Sequence, residues 1–147
     1  MPYPTPNTQL MKLKNFVTMA AAALLLVACS KSLNSDYSKG TAQWELATFI
    51  ENLNTGQYEA ALNQLNVNPV ASGDITVEEF QEIMSGRITN GCTVSKIEMK
   101  ERPEEFDDRT VRIDVDFTYQ DGSTKHMWVN MEQSDTAWHV TTRGTMF

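Results

Sequence analysis

Cysteine is nearly missing from this chain, with two in 147 residues, at positions 29 and 92. A small fold stapled by several disulfides is therefore excluded. Basic residues are also scarce, 12 Lys and Arg against 19 Asp and Glu, for a net charge of −7. A surface of that sign lacks the electrostatic footprint that a phosphate backbone requires, so nucleic acid is not an expected partner. No apolar run reaches the ~20 residues that a spanning helix needs. Glycine-rich phosphate loops, zinc-type Cys/His spacing and internal repeats are absent too. Neither a cofactor nor a metal is expected.

What is present begins with the N-terminal segment. Lys12 and Lys14 precede an apolar run, Phe16 to Ala28, interrupted only by Thr18. That run is too short for a stable transmembrane helix and has the length and flank of a secretory signal. It ends in Leu26-Val27-Ala28-Cys29, which resembles the lipobox of bacterial lipoproteins. The resemblance implies a diacylglycerol on the Cys29 thiol, cleavage before it and acylation of the new amino group. Residues 1–28 are then a signal peptide. Met1–Leu10 has no place in such a peptide, so translation is expected to start at Met11. Several acyl chains make a lasting membrane anchor. Ser30 stands where an Asp would be a retention signal, which points to the outer membrane of a two-membrane cell, facing the periplasm or the cell surface.

Removal of residues 1–28 leaves 119 residues with 10 basic and 19 acidic side chains, a net charge of −9. That is the size of one modest domain. With Cys29 lipidated, Cys92 has no partner and is expected as a small buried hydrophobe rather than a reactive thiol. Residues 29–40 are polar and serine-rich, as expected of a lipidated flexible tether. The domain follows, over 41–147.

Thr41 is a plausible cap for a helix to Asn54, with Ala42, Leu46, Phe49, Ile50 and Leu53 on one face and Gly56 ending it. Tyr58, Ala61, Leu62 and Leu65 repeat at helical spacing. Thr76-Val77-Glu78-Glu79 opens a third helix as a capping box, with Val77, Phe80, Ile83 and Met84 inward and Ser85-Gly86 as its stop. From Cys92 the period changes to two. Four strands are read at Thr93–Lys100, Thr110–Tyr119, Thr124–Glu132 and Ala137–Thr142. The expected fold class is α+β, with N-terminal helices packed on a curved four-stranded antiparallel sheet.

Register follows from keeping one face apolar. A three-residue loop Gln120-Asp121-Gly122, with Gly122 left-handed at a bulge, pairs Val115 with Met127 and Ile113 with Val129. A four-residue loop, Gln133–Thr136, then pairs Met131 with Trp138 and Asn130 with His139. The inward set, including Val111, Ile113, Val115, Phe117, Val129 and Val140, contains no acid or base. An enzyme is therefore not expected. Outward lie Arg112, Asp114, Asp116, His126, Trp128, Asn130 and His139. Asp116, His126 and His139 form a weak polar cluster there, read as ordinary cross-strand pairing. Glu98, Glu101, Glu104, Glu105, Asp107 and Asp108 crowd one connection, as a solvated acidic loop. A large aromatic mid-strand on a polar face often marks an interface, so Trp128 with Arg112, Asp114 and Asn130 is the candidate contact surface.

Phe49–Leu53 running into Gly56–Ala60, the Asp121-Gly122 hairpin and Trp138–Val140 together resemble the nuclear-transport-factor-2-like (cystatin-like) lipoprotein domains of unknown function in bacteria. The resemblance implies a cone-like fold. It leaves two activities open. One is a non-enzymatic module that binds an envelope protein or pairs as a homodimer. The other is a small-ligand carrier or isomerase-like enzyme working in a cone cavity.

Overall fold

A computed structural model describes residues 31–102, 108–135 and 137–142. Cys29, the signal segment and three of the acidic-loop residues (Glu104, Glu105 and Asp107) lie outside them. From Ser32 onward the described residues form a single unit.

Helix α1 spans Ala42–Asn54. The Thr41 side chain accepts a hydrogen bond from the Trp44 backbone amide, which satisfies one of the donors that a helix start leaves open. At the other end Gly56 adopts φ 73°, and the amide of Gln57 donates to the Asn52 carbonyl at 2.8 Å. That closure needs a residue that tolerates the left-handed region, which is why the helix stops at a glycine. Helix α2 is short, Tyr58–Asn63. Helix α3 covers Val77–Met84 behind the expected capping box, in which Thr76 and Glu79 exchange hydrogen bonds.

Two expectations for α3 fail. Val77 is 40% exposed rather than inward, because the first turn of the helix overhangs the core. Ser85-Gly86 does not end the helix; Ser85–Thr89 continues as a π-helical turn that buries Ile88. The sheet makes this possible. Tyr119 donates to the Ile88 carbonyl and Lys125 to the Arg87 carbonyl, so the widened turn keeps partners for its freed oxygens.

The strands are β1 (Val94–Arg102), β2 (Thr110–Tyr119), β3 (Thr124–Ser134) and β4 (Ala137–Val140). They form one antiparallel sheet in sequence order. The β2–β3 register is the one that keeps an apolar face: Val115 opposite Met127, Ile113 opposite Val129, Asp116 opposite His126. Gly122 sits at φ 84°, and Asp121 accepts from the Ser123 amide at 2.9 Å, which fixes the loop. The Ser123 hydroxyl, donating to the same carboxylate, and then that amide hold the Asp121 carboxyl below the usual range.

The β3–β4 pairing differs from expectation by two residues. Met131 faces Val140, Gln133 faces Trp138 and Glu132 faces His139. β3 runs on to Ser134, and Asp135 turns the chain at φ 51°. A slip of two leaves every side chain on its own face, so alternation alone cannot choose between the pairings.

The helices cover the concave face of the sheet, and Phe49, Ile50, Phe80, Ile113, Val115 and Phe117 are wholly buried between them. Of the segment read as a tether, Leu33–Asp36 forms a 3₁₀ turn seated on α1: Asn34 donates to Thr48 at 3.0 Å and Ser32 to Glu51 at 2.6 Å.

Candidate functional site

The concave face is filled. Ile113, Val115, Phe117, Val129 and Met131 each have no exposed surface, so the centre of the sheet has no room for a ligand. The polar chemistry lies elsewhere.

The first candidate is the convex face. Trp128 is 38% exposed in the middle of β3, with the Arg112 guanidinium 4.9 Å from its ring centroid. Arg112 is held in turn by Asp114 at 3.3 Å, and the same carboxylate takes Arg102 from β1 at 2.6 Å. A shielded carboxylate between two guanidiniums holds the cation over the indole, where cation–π attraction adds to the contact. Asn130 follows Trp128 on the same face, opposite Arg112. The expected interface residues are thus brought together, and Arg102 joins them.

The expected polar cluster is split. His126 Nδ1 and Asp116 Oδ1 are 2.7 Å apart, both side chains largely exposed. An exposed pair of this kind contributes little to stability. His139 faces Glu132 rather than Asn130, for the register reason given above. Among the described residues no group of three or more His, Cys, Asp or Glu could hold a metal ion.

Sequence reasoning missed the second candidate altogether. A half-open cleft of about 270 Å³ lies where the end of α1, the start of α2, the end of α3 and the approach to β1 converge. Leu53 and Met84 supply apolar surface, Tyr58 packs edge-on against Phe80, and Ser85, Thr89 and Cys92 add polar atoms. Cys92 is only partly buried and borders this cleft, against the expectation of a buried filler. The backbone here is unusual: the π turn is followed by Asn90 at φ 52° and Gly91 at φ 65°. Asn54 ties the opposite wall, donating to the Val94 carbonyl at 2.8 Å and accepting from its amide at 3.0 Å. The Asn90-Gly91 pair was the one visible signal, as a turn dipeptide.

Tyr119 braces the cleft from behind. Burial, helped by the nearby Cys92 and Asp121, pushes its hydroxyl above the ordinary value of 10.0. A raised acid contributes stability below its unfolded value and loses it as pH climbs through the folded one. Wild-type stability should therefore fall in alkali above pH 10.0. Tyr119→Phe strands the Ile88 carbonyl at a cost of about 1–3 kcal/mol near neutrality. It should also flatten that alkaline decline, as urea melts at several pH values would show.

No protein family and no curated protein matches this chain in sequence. Solved structures do match in shape. A sec-c motif containing protein from Psychrobacter arcticus superposes with a TM-score of 0.53 at 12% identity, covering 82% of this chain and 72% of that one. A Campylobacter jejuni protein described as an NTF2-like transpeptidase gives 0.46 at 13%, covering 65% and 93%. Identities this low speak to fold alone. The observed architecture is helices over a curled four-stranded antiparallel sheet.

Proposed function

We propose that this chain is a cell-envelope lipoprotein, anchored through Cys29, whose domain acts by association: two copies pair through the convex sheet face centred on Trp128. The observation that carries the reading is Trp128 itself, a large aromatic exposed mid-strand with a fixed guanidinium on its ring. Tryptophan and arginine are the residues that most often dominate interface energies.

Charge supports a second copy as the partner. The strands present four basic groups on this face (Lys96, Lys100, Arg102, Arg112) and four acidic ones (Glu98, Asp114, Asp116, Glu132). The face is therefore neutral on a chain whose mature form carries −9. Two copies approaching by this face bring together surfaces of no net charge, which limits the repulsion between two acidic chains. The basic groups concentrate on β1 and the acidic ones on β2 and β3, which suits a two-fold arrangement.

The test is cross-linking of the full chain in intact envelopes. Wild-type protein should yield a homodimer band. Trp128→Ala should weaken pairing by about 2 kcal/mol, roughly thirtyfold, with an unchanged melting temperature. An equally strong band from the folded variant would refute the interface. A heterologous partner in place of the dimer would refute the second copy.

A further inference from the structure

We propose that the cleft beside Cys92 is a binding site for an uncharged, hydroxyl-bearing ring of the size of one sugar. The inference stands apart from the convex-face reading, since the two surfaces share no residue.

Size comes first. A volume of about 270 Å³ equals the space of roughly nine waters, which suits a molecule of about ten to twelve non-hydrogen atoms. It is just under the usual range for drug-sized ligands, so larger cofactors do not fit.

Charge comes second. Charged residues make up 21% of the chain, yet none of the ten residues lining the cleft carries one. A free anion or cation would leave water for a lining that offers no counter-charge. The lining instead offers groups that both donate and accept: the hydroxyls of Tyr58, Ser85 and Thr89. No hydrogen bond within the described residues occupies these three. Such bifunctional groups complement ligand hydroxyls, which are bifunctional too. The half-buried ring of Tyr58 suits a C–H face of the same molecule, with the buried Leu53 and Met84 behind it as floor.

Preorganisation comes third. The π turn that brings Ser85 and Thr89 to the cleft is pinned by Tyr119 and Lys125 from the sheet, and the α1 wall is pinned by both ends of the Asn54 amide. A ligand entering this site orders little that is not already ordered.

Cys92 supplies the readout. Its alkylation by iodoacetamide would be followed in the detergent-solubilised full chain by mass spectrometry of the peptide that contains it. The probes are glucose and galactose, against glucuronate as anion and glucosamine as cation. A neutral probe at about ten times its Kd leaves about one cleft in eleven open, so alkylation should slow about tenfold. The charged probes should leave the rate unchanged. Gln81→Trp, at an exposed position of α3, and Thr89→Trp both crowd the cleft. In either folded variant, saturation-transfer signals from the neutral probe should vanish. Failure of both neutral sugars to slow alkylation up to their solubility would overturn the proposal. So would equal protection by the charged probes, or a saturation-transfer signal that persists in both tryptophan variants.

Discussion

Cys29→Ser is expected to leave the protein without acyl chains and, since cleavage is tied to the lipidated cysteine, with residues 1–28 still attached. The mature chain is strongly acidic, so anionic headgroups repel it, and no described helix is long and apolar enough to cross a membrane. Each buried methylene of a lipid chain contributes about 0.8 kcal/mol, and a single chain gives only marginal, reversible binding. Lipid-borne retention therefore scales steeply with acylation, and replacing the one thiol that accepts the diacylglycerol removes every acyl chain. Labelled palmitate and intact mass read the outcome independently. Palmitate incorporation into the serine variant would overturn the anchor. An unacylated variant that still formed the cross-linked dimer would separate the anchor from the interface.

Phe117→Ala is the second large effect, with an expected loss of about 3–5 kcal/mol. Phe117 lies in β2, opposite Ile97, wholly buried, with its ring centroid 6.4 Å from that of Tyr119. Truncation removes the transfer energy of the ring and leaves a cavity that the sheet and helices cannot close together. Against a total stability of ~5–15 kcal/mol this is a large share, and the melting temperature should drop by about 10–20 °C. The neighbouring Asp116→Ala points to the opposite face, where only an exposed His126 pair is lost. Its cost should stay within about 1 kcal/mol. Denaturant titration of the two variants side by side tests the face assignment: comparable losses would place Phe117 outside the core.

The contrast between those neighbours was legible in the sequence because alternation is local. A strand with one face against helices repeats its apolar residues every second position, and β2 does so from Val111 to Phe117. The capping box at Thr76, the Gly56 stop and the left-handed Gly122 were readable for the same reason, since each states a need of its own few residues. Trp128 was legible as an oddity, an aromatic in a polar slot. Its clamp was only half legible, because Arg102 reaches Asp114 across a β1 pairing that rests on a bulge near Val94.

Where local pattern gave two equivalent answers, the sequence did not decide. The β3–β4 slip of two residues preserves every face, and the choice fell to the turn at Asp135. The π turn after Met84 could not be foreseen from Ser85-Gly86. It exists because Tyr119 and Lys125, from elements later in the chain, satisfy its carbonyls.

The sequence by itself therefore determined the order of helices and strands and which strand residues face inward. These rest on runs, spacings and caps within a few residues of one another. Only the tertiary structure decided that the concave face is filled, that the convex face is electrically neutral around a clamped tryptophan, and that Cys92 borders a cleft. Each of those depends on groups far apart in the chain meeting in space, and periodicity carries no information about such meetings.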